Sequence, residues 1–347
     1  MSSDNEQISS MRGGIKRQHS VEDFESIKEA KTDKTLEENL DTKQKELTNN
    51  HHEIKNDDEF LEKGDIVFMY KPKLNVDEAL SFDDVQLFHV LLIPEEDETN
   101  LKDSSSKIRL IKIGKKKLPT IGKERYWAFV EKADNDIEKL EEKLEVQTYE
   151  TATVGTRTIK ADRIAGKGKY VMAKHDQRRT VIGYVLESPS DIGAVQSVFN
   201  ITKEASFSVA VKNPKKRSPP AAGLSHSQKA EYSEEIQKKF GSYQWLPAEP
   251  AMLDVPGCEM VWIGSSTDDL EELLGELGRE IEEEADSNLT ATEVMKDIQL
   301  DEAQHPIQPL VDGKWPKQED APEKKDHEEE YKTENENKNI EDKKTEE

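Results

Sequence analysis

The sequence predicts an α+β fold: a single strand-rich domain, a largely antiparallel sheet or partly closed barrel of about seven strands with about three helices, flanked by disordered acidic tails. Three observations carry this. Eight of the nine Phe and three of the four Trp lie between Phe60 and Ser265, a length that suffices for one hydrophobic core. Charge is segregated: residues 60–265 hold 31 Lys+Arg against 31 Asp+Glu, residues 1–59 hold 9 against 15, and residues 266–347 hold 10 against 28, so the net charge of −24 belongs to the flanks. Finally, short apolar runs with a period of two recur through the middle between polar and Pro- or Gly-rich turns, the pattern of strands. The boundaries that follow are a disordered N-terminal tail at 1–59, a globular domain at 60–265, an amphipathic helix at 266–284 and a disordered acidic C-terminal tail at 285–347.

The elements follow in order. "GDIVFMYKP" opens the domain with alternating Ile66, Phe68 and Tyr70, and "QLFHVLLIP" is nearly continuous apolar, as a central strand is. His89 within it reads as a satisfied core histidine. "KIRLIKIGKKKLP" is a strand, and "RYWAFVEKA" is another that leads into a helix near 134–145. Asp134 is its expected N-cap, and Ile137, Leu140 and Leu144 fall at helical spacing. "GKYVMAKHDQRRTVIGYVLESP" has the form of a hairpin around "HDQRR". "SFSVAVKNP" alternates strictly. A helix near 226–240 aligns Tyr232, Ile236 and Phe240 and stops at Gly241. A short strand spans Met260 to Ile263. The last helix, 267–284, carries a stripe of Leu270, Leu273, Leu274, Leu277 and Ile281, weakened by Gly275 and Gly278.

Several function classes drop out. The single cysteine, Cys258, forms no intramolecular disulfide and no CxxC metal site. No secretory leader and no apolar run long enough to span a membrane occurs, so the chain reads as a soluble protein of the nucleus or cytoplasm. No nucleophile elbow, zinc-protease, dinucleotide or EF-hand motif is present. The sequence therefore assigns no catalytic residue, metal or cofactor. "AGKGKY" imitates a phosphate loop, but a strand rather than a helix follows its lysine; it reads as a loop entering a strand.

One charge feature stands out. Residues 101–220 carry 25 Lys+Arg against 15 Asp+Glu. Arg157, Lys160, Arg163, Lys167, Lys169, Lys174, His175, Arg178 and Arg179 span a loop, a strand start and a hairpin tip. If they converge, they form a face for an anion or an acidic partner; otherwise they are a solvated sheet face. Lys215, Lys216 and Arg217 in "PKKRSPP" form a candidate nuclear-import signal. Ser218 before Pro219, and Ser20 three residues after Arg17, are candidate phosphosites.

The blocks "GDIVFMYKPKL", "DDVQLFHVLLIP", "RYWAFVEKA", "TATVGTRTIKADRIAGKGKYVM", "GYVLESPSDIGAVQSVFNI", "SFSVAVKNP" and "WLPAEPAMLDVPG" resemble a family of conserved fungal proteins labelled "BTB domain transcription factor". The resemblance spans roughly residues 63–264. It implies a nuclear role and brings no catalytic residues. A BTB/POZ domain is mostly helical, and that pattern is not evident in this strand-rich middle.

The reading that results is a non-enzymatic binding or regulatory protein: a recognition domain plus an acidic tail that contacts basic protein partners. The alternative is an enzyme or small-anion domain in which Arg157, Lys160, Lys169 and His175 line one pocket. A third reading is nucleic-acid binding through the basic loop and hairpin. No membrane partner is expected, and the sequence specifies no oligomeric state.

Overall fold

The structure, a computed structural model, describes residues 58–95, 107–120, 122, 124–151, 155–219, 223–265, 267–286, 289–298, 300, 305 and 307–315. The strand-rich α+β domain is there, and its sheet is an antiparallel barrel of eight strands, fully closed. Taken around the wall these are β9 (Glu204–Lys212), β11 (Glu259–Gly264), β4 (Arg125–Asp134), β3 (Ile108–Ile113), β2 (Val85–Pro94), β1 (Glu59–Pro72), β7 (Arg163–His175) and β8 (Arg179–Ser188). The pairing of β8 with β9, from Thr180 opposite Val209 to Val185 opposite Glu204, closes the ring. A three-residue strand β10 (Trp245–Pro247) prolongs the β8 edge of β9. Outside the barrel, β5 (Gln147–Thr151) and β6 (Gly155–Ile159) form a separate hairpin.

Side chains fill the interior. Ile66, Phe68 and Tyr70 of β1 meet Phe88, Val90 and Leu92 of β2, with Tyr184, Phe207 and Trp262 from across the ring. Phe68 packs edge-on against Tyr184 with ring centroids 4.9 Å apart, and Phe88 stacks on Phe199 at 4.9 Å. One ionic knot lies within this core. Arg109 of β3 is fully buried, forks onto Glu62 at 2.5 and 3.0 Å, and donates from Nε to Asp254 at 2.8 Å. The Tyr170 hydroxyl donates to the same Glu62 at 3.0 Å.

Eight helices occur among the described residues. Helix α1 (Ile137–Leu144) is the one expected near 134–145. It starts after Asp136, whose Oδ1 accepts the Glu138 N–H at 3.0 Å, while Asp134 ends β4. A short α2 (Ala194–Val198) brings Phe199 onto the barrel end. The 226–240 helix is split: a 3-10 turn at His226–Gln228 precedes α3 (Glu234–Phe240), because the Ser233 hydroxyl caps Ile236 N. Tyr232 therefore lies outside the helix, though its ring still stacks on Phe240. Helix α4 (Pro250–Leu253) plugs one end with Met252 and Leu253.

The 267–284 helix is also two, α5 (Leu270–Leu274) and α6 (Glu276–Glu284). Gly275 sits between them at φ 58°, a conformation that suits a residue without Cβ. The glycines of "AGKGKY" lie inside β7, not in a loop. A Cβ on Gly168 would meet the Val185 carbonyl oxygen at 2.1 Å, so glycine lets β7 and β8 approach there.

The C-terminal boundary moves. Residues 285–347 were expected as tail, but α7 (Ala291–Asp297) and α8 (Gln308–Asp312) pack on the barrel, burying Val294, Met295, Ile298, Leu300 and Leu310. Trp315 adds its ring to those of Tyr70 and Phe199. The domain also starts slightly earlier than expected, with β1 at Glu59. Residues 1–57 and 316–347 lie outside the described residues, and Ser20 with them.

Candidate functional site

The nine basic residues singled out from the sequence do not form one face. Lys160 pairs with Asp77 at 2.9 Å, and Arg163 forks onto Glu78 at 2.8 and 3.2 Å. Lys167 is 2 % exposed and lies among Glu187 at 2.6 Å, Asp65 at 3.1 Å and Asp297 at 3.6 Å. Lys169 meets Asp65 at 3.0 Å and Glu95 at 3.2 Å. Burial alone would lower its pKa, but the Asp65 carboxylate overrides this and raises it. Lys174 pairs with Glu59 at 3.2 Å, and His175 lies between Asp58 at 3.0 Å and Asp176 at 3.1 Å. Among the described residues Arg157, Arg178 and Arg179 make no ion pair.

Distance separates them as well. Arg163 starts β7 and His175 ends it, about 40 Å apart at about 3.3 Å per residue. The proposed anion pocket of Arg157, Lys160, Lys169 and His175 is likewise dispersed, over β6, the link that follows it, and the middle and end of β7. The reason is mostly non-local: the six that are paired find carboxylates on or beside neighbouring strands, on α7 or in the link that follows β1.

Other polar clusters are internally compensated. His89 on β2 points outward from the barrel. Its Nδ1 lies 2.9 Å from Asp162 and its Nε2 3.3 Å from Glu131. Burial alone would hold the imidazole neutral; the two carboxylates overcome this and raise its pKa to about 9. Burial would push the Glu131 carboxyl up, but the hydrogen bond to His89 wins and lowers it to about 2. Both shifts describe one ion pair, with both ring nitrogens engaged.

Cys258 is fully buried, and burial pushes its thiol up to about 12, so it is no thiolate nucleophile. Glu259, 2 % exposed, anchors the 212–229 segment: it faces Lys212 at 3.4 Å and accepts from the Ser218 hydroxyl at 3.0 Å and Leu224 N at 2.9 Å. The candidate phosphosite Ser218 is thus turned toward a buried carboxylate, while Lys215, Lys216 and Arg217 are exposed.

A different surface has what these lack. On β4 the side chains alternate: Tyr126, Ala128 and Val130 are buried inward, while Arg125, Trp127, Phe129 and Glu131 face out. Trp127 and Phe129 stack with centroids 6.4 Å apart. Trp245 of β10 reaches across β9 and β11 to meet Trp127 at 5.4 Å. On β11, Val261 opposite Trp127 and Ile263 opposite Arg125 extend the strip, Ile263 being 38 % exposed. None of these five apolar residues belongs to the three buried clusters of the molecule.

Trp127 and Phe129 of this strip, with Arg125, line one wall of an open cleft of about 1030 Å³, and Trp245, Val261 and Ile263 continue the strip beyond its edge. Lys112, Lys115 and the end of α1 at Lys143 flank it, and the 223–231 segment with Lys229 faces it. Five cations thus line the cleft against two carboxylates, Glu131 and Glu231. Glu131 is already held by His89 and by Lys112 at 3.5 Å. Lys115, Arg125 and Lys143 make no ion pair among the described residues. The sequence did carry a signal for this site: "RYWAFVE" puts Trp and Phe on the face that a half-buried strand gives to water.

The opposite wall has the opposite sign. In the strand order β4 and β3 lie across the ring from β7 and β8. There α5 and α6 bury Leu270, Leu273, Leu274 and Ile281 on Val171, Ala173 and Val181, and turn Glu271, Glu272, Glu276, Glu280, Glu283 and Glu284 to solvent. The pKa values of Glu204 and Glu282 are raised, first by burial and then by neighbouring carboxylates of this face. Residues 266–315 carry 15 acidic and 3 basic groups, and residues 316–347 carry 13 and 7, so most of the C-terminal acidity precedes residue 316.

No protein-family model, curated protein or solved structure matches the chain. Fold and surface define a class by themselves: a closed antiparallel barrel with a filled interior and two outer walls of opposite charge. No helix among the described residues is long and apolar enough to cross a membrane.

Proposed function

We propose that this is a non-enzymatic binding protein that works from its outer walls, with the cleft on β3 and β4 as recognition surface and the acidic C-terminal region as an electrostatic contact for basic protein partners. The observation that carries the reading is the pair of opposed walls. Half-buried aromatic rings share one wall with cations that make no ion pair among the described residues, and a crowded carboxylate surface lies on the other. The buried ionisable groups at Arg109, Lys167 and His89 are tied to partners within the fold, as structural groups are. A nuclear role accords with the exposed Lys215–Arg217 segment.

The acidic contact is tested with a purified basic protein such as a histone. Replacing exposed Glu271, Glu280 and Glu283 by Lys should weaken binding at least tenfold at low salt, and deleting residues 316–347 should weaken it less. Binding that survives both changes would sink this part of the reading. The small-anion reading has less support, since neither the cleft on β3 and β4 nor the one beside α8 is lined by Arg157, Lys160, Lys169 or His175.

A further inference from the structure

We propose that the cleft takes single-stranded nucleic acid, with bases stacked on Trp127 and Phe129 and, at the cleft's edge, Trp245, and phosphates met by Lys115, Arg125 and Lys143. This rests on the reading of the cleft as a recognition surface and names its ligand class. It also moves nucleic-acid binding away from the basic loop and hairpin, where the sequence reading had placed it.

Four observations carry the proposal. The rings form a connected strip, 5.4 and 6.4 Å between centroids, on an outward sheet face outside every buried cluster. Burying such rings against water-borne ligand is favourable, and every base offers a π-face to them regardless of sequence. Next, among the described residues the flanking cations Lys115, Arg125 and Lys143 make no ion pair, whereas Lys160, Arg163, Lys167, Lys169 and Lys174 do. Cations beside half-buried rings match a ligand whose charge and aromatic faces alternate along one chain.

The volume, about 1030 Å³, is at the upper end for a small-molecule pocket, and the cleft is open, as a chain passing through it requires. Lastly, the acidic α5–α6 wall lies across the barrel. It repels a polyanion from the far side and steers it to this one. A duplex hides its base faces within the stack, so the rings select a single strand. An acidic peptide would satisfy the cations and leave the rings unused.

The test is fluorescence anisotropy of a labelled mixed-sequence 12-nucleotide RNA, and its DNA counterpart, titrated with the full chain at low and raised salt. Saturable binding that weakens with salt is expected. Trp127→Ala and Phe129→Ala should each weaken it about tenfold. Lys115→Glu and Arg125→Glu, at exposed positions that leave the fold intact, should weaken it similarly and flatten the salt dependence. The Arg178→Ala/Arg179→Ala double variant should bind as the parent does, and duplex should compete poorly.

No anisotropy change at low salt overturns the proposal, as does binding that the ring variants leave unchanged or that only the Arg178/Arg179 variant loses. Heparin and a poly-glutamate peptide separate the two levels of the argument. If they bind with dependence on Arg125 and none on Trp127, base stacking is overturned while the cleft remains a recognition surface. If no polyanion binds and charge reversal changes nothing, the reading of the cleft falls too.

Discussion

The wall of β1, β2, β7 and β8 and the wall of β3, β4, β9 and β11 are built from one sheet, yet they meet different surroundings. On the first, outward Val67, Met69 and Leu91 lie under α1 and α7, and Val171, Ala173 and Val181 lie under α5 and α6. On the second, outward Trp127, Phe129, Val261 and Ile263 have no helix over them among the described residues. Strands buried on both faces gain stability from both. A strand that keeps aromatic rings half-exposed forgoes that gain, and rings held there are available to a ligand. Stability is thus concentrated on one wall and binding capacity on the other.

The largest test of this contrast is truncation. Removing residues 285–347 strips five buried side chains of α7, α8 and their links from Val67, Met69 and Leu91. At about 1.5–3 kcal/mol gross for each buried side chain, denaturant unfolding should show a loss above about 5 kcal/mol. Removing only 316–347 should cost little, and equal losses would break the contrast.

Lys167→Ala should cost about 3–5 kcal/mol, because it leaves buried Glu187 without its cation. Leu140→Ala under the covered wall should cost about 2–5 kcal/mol by the same measurement. Trp127→Ala on the open wall should cost under about 1 kcal/mol. The reverse order for these two would show that the open wall carries the fold.

Stability should also depend on pH through His89. Its pKa rises from 6.5 unfolded to about 9 folded, so the charged imidazolium stabilises the native state. That contribution, on the order of 3 kcal/mol, is complete below about pH 6.5 and is lost as pH rises through about 9. The stability gap between parent and His89→Gln, followed by denaturation from pH 6 to 9.5, should narrow accordingly; a constant gap would refute it. The smallest effect is expected at Lys174→Ala, where the Glu59 carboxylate is 60 % exposed: under about 1 kcal/mol, within the range of surface ion pairs.

Much of the fold was legible because it is local. "QLFHVLLIP" and "SFSVAVK" show their strand period without reference to the rest of the chain, and Ile137, Leu140 and Leu144 show a helix the same way. The tail boundary was missed although a signal existed. Thr290 and Glu293 form a capping box, Glu293 N donating to Thr290 Oγ1 at 3.3 Å while the Glu293 carboxylate accepts from Thr290 N at 2.8 Å. The acidic composition around it outweighed that signal. The β5–β6 hairpin was missed too, because its polar, threonine-rich strands carry no apolar alternation.

The site was half legible. Trp127 and Phe129 share a face by the strand period alone, but Trp245 joins them only through the order β10–β9–β11–β4.

By itself, the sequence determined the strand-rich middle, the segregation of charge and the two-sided pattern of each strand. These follow from backbone period and side-chain polarity within a few residues. Only the tertiary structure decided which outward face receives a helix, which lysines are neutralised and where the ring closes. Lys167 meets Asp65, Glu187 and Asp297 from three distant parts of the chain, and β1 pairs with β7, Phe68 opposite Gly166, across about a hundred residues of sequence. Charge along a sequence counts cations; only packing shows which are paired, and here Lys160, Arg163, Lys167, Lys169 and Lys174 are.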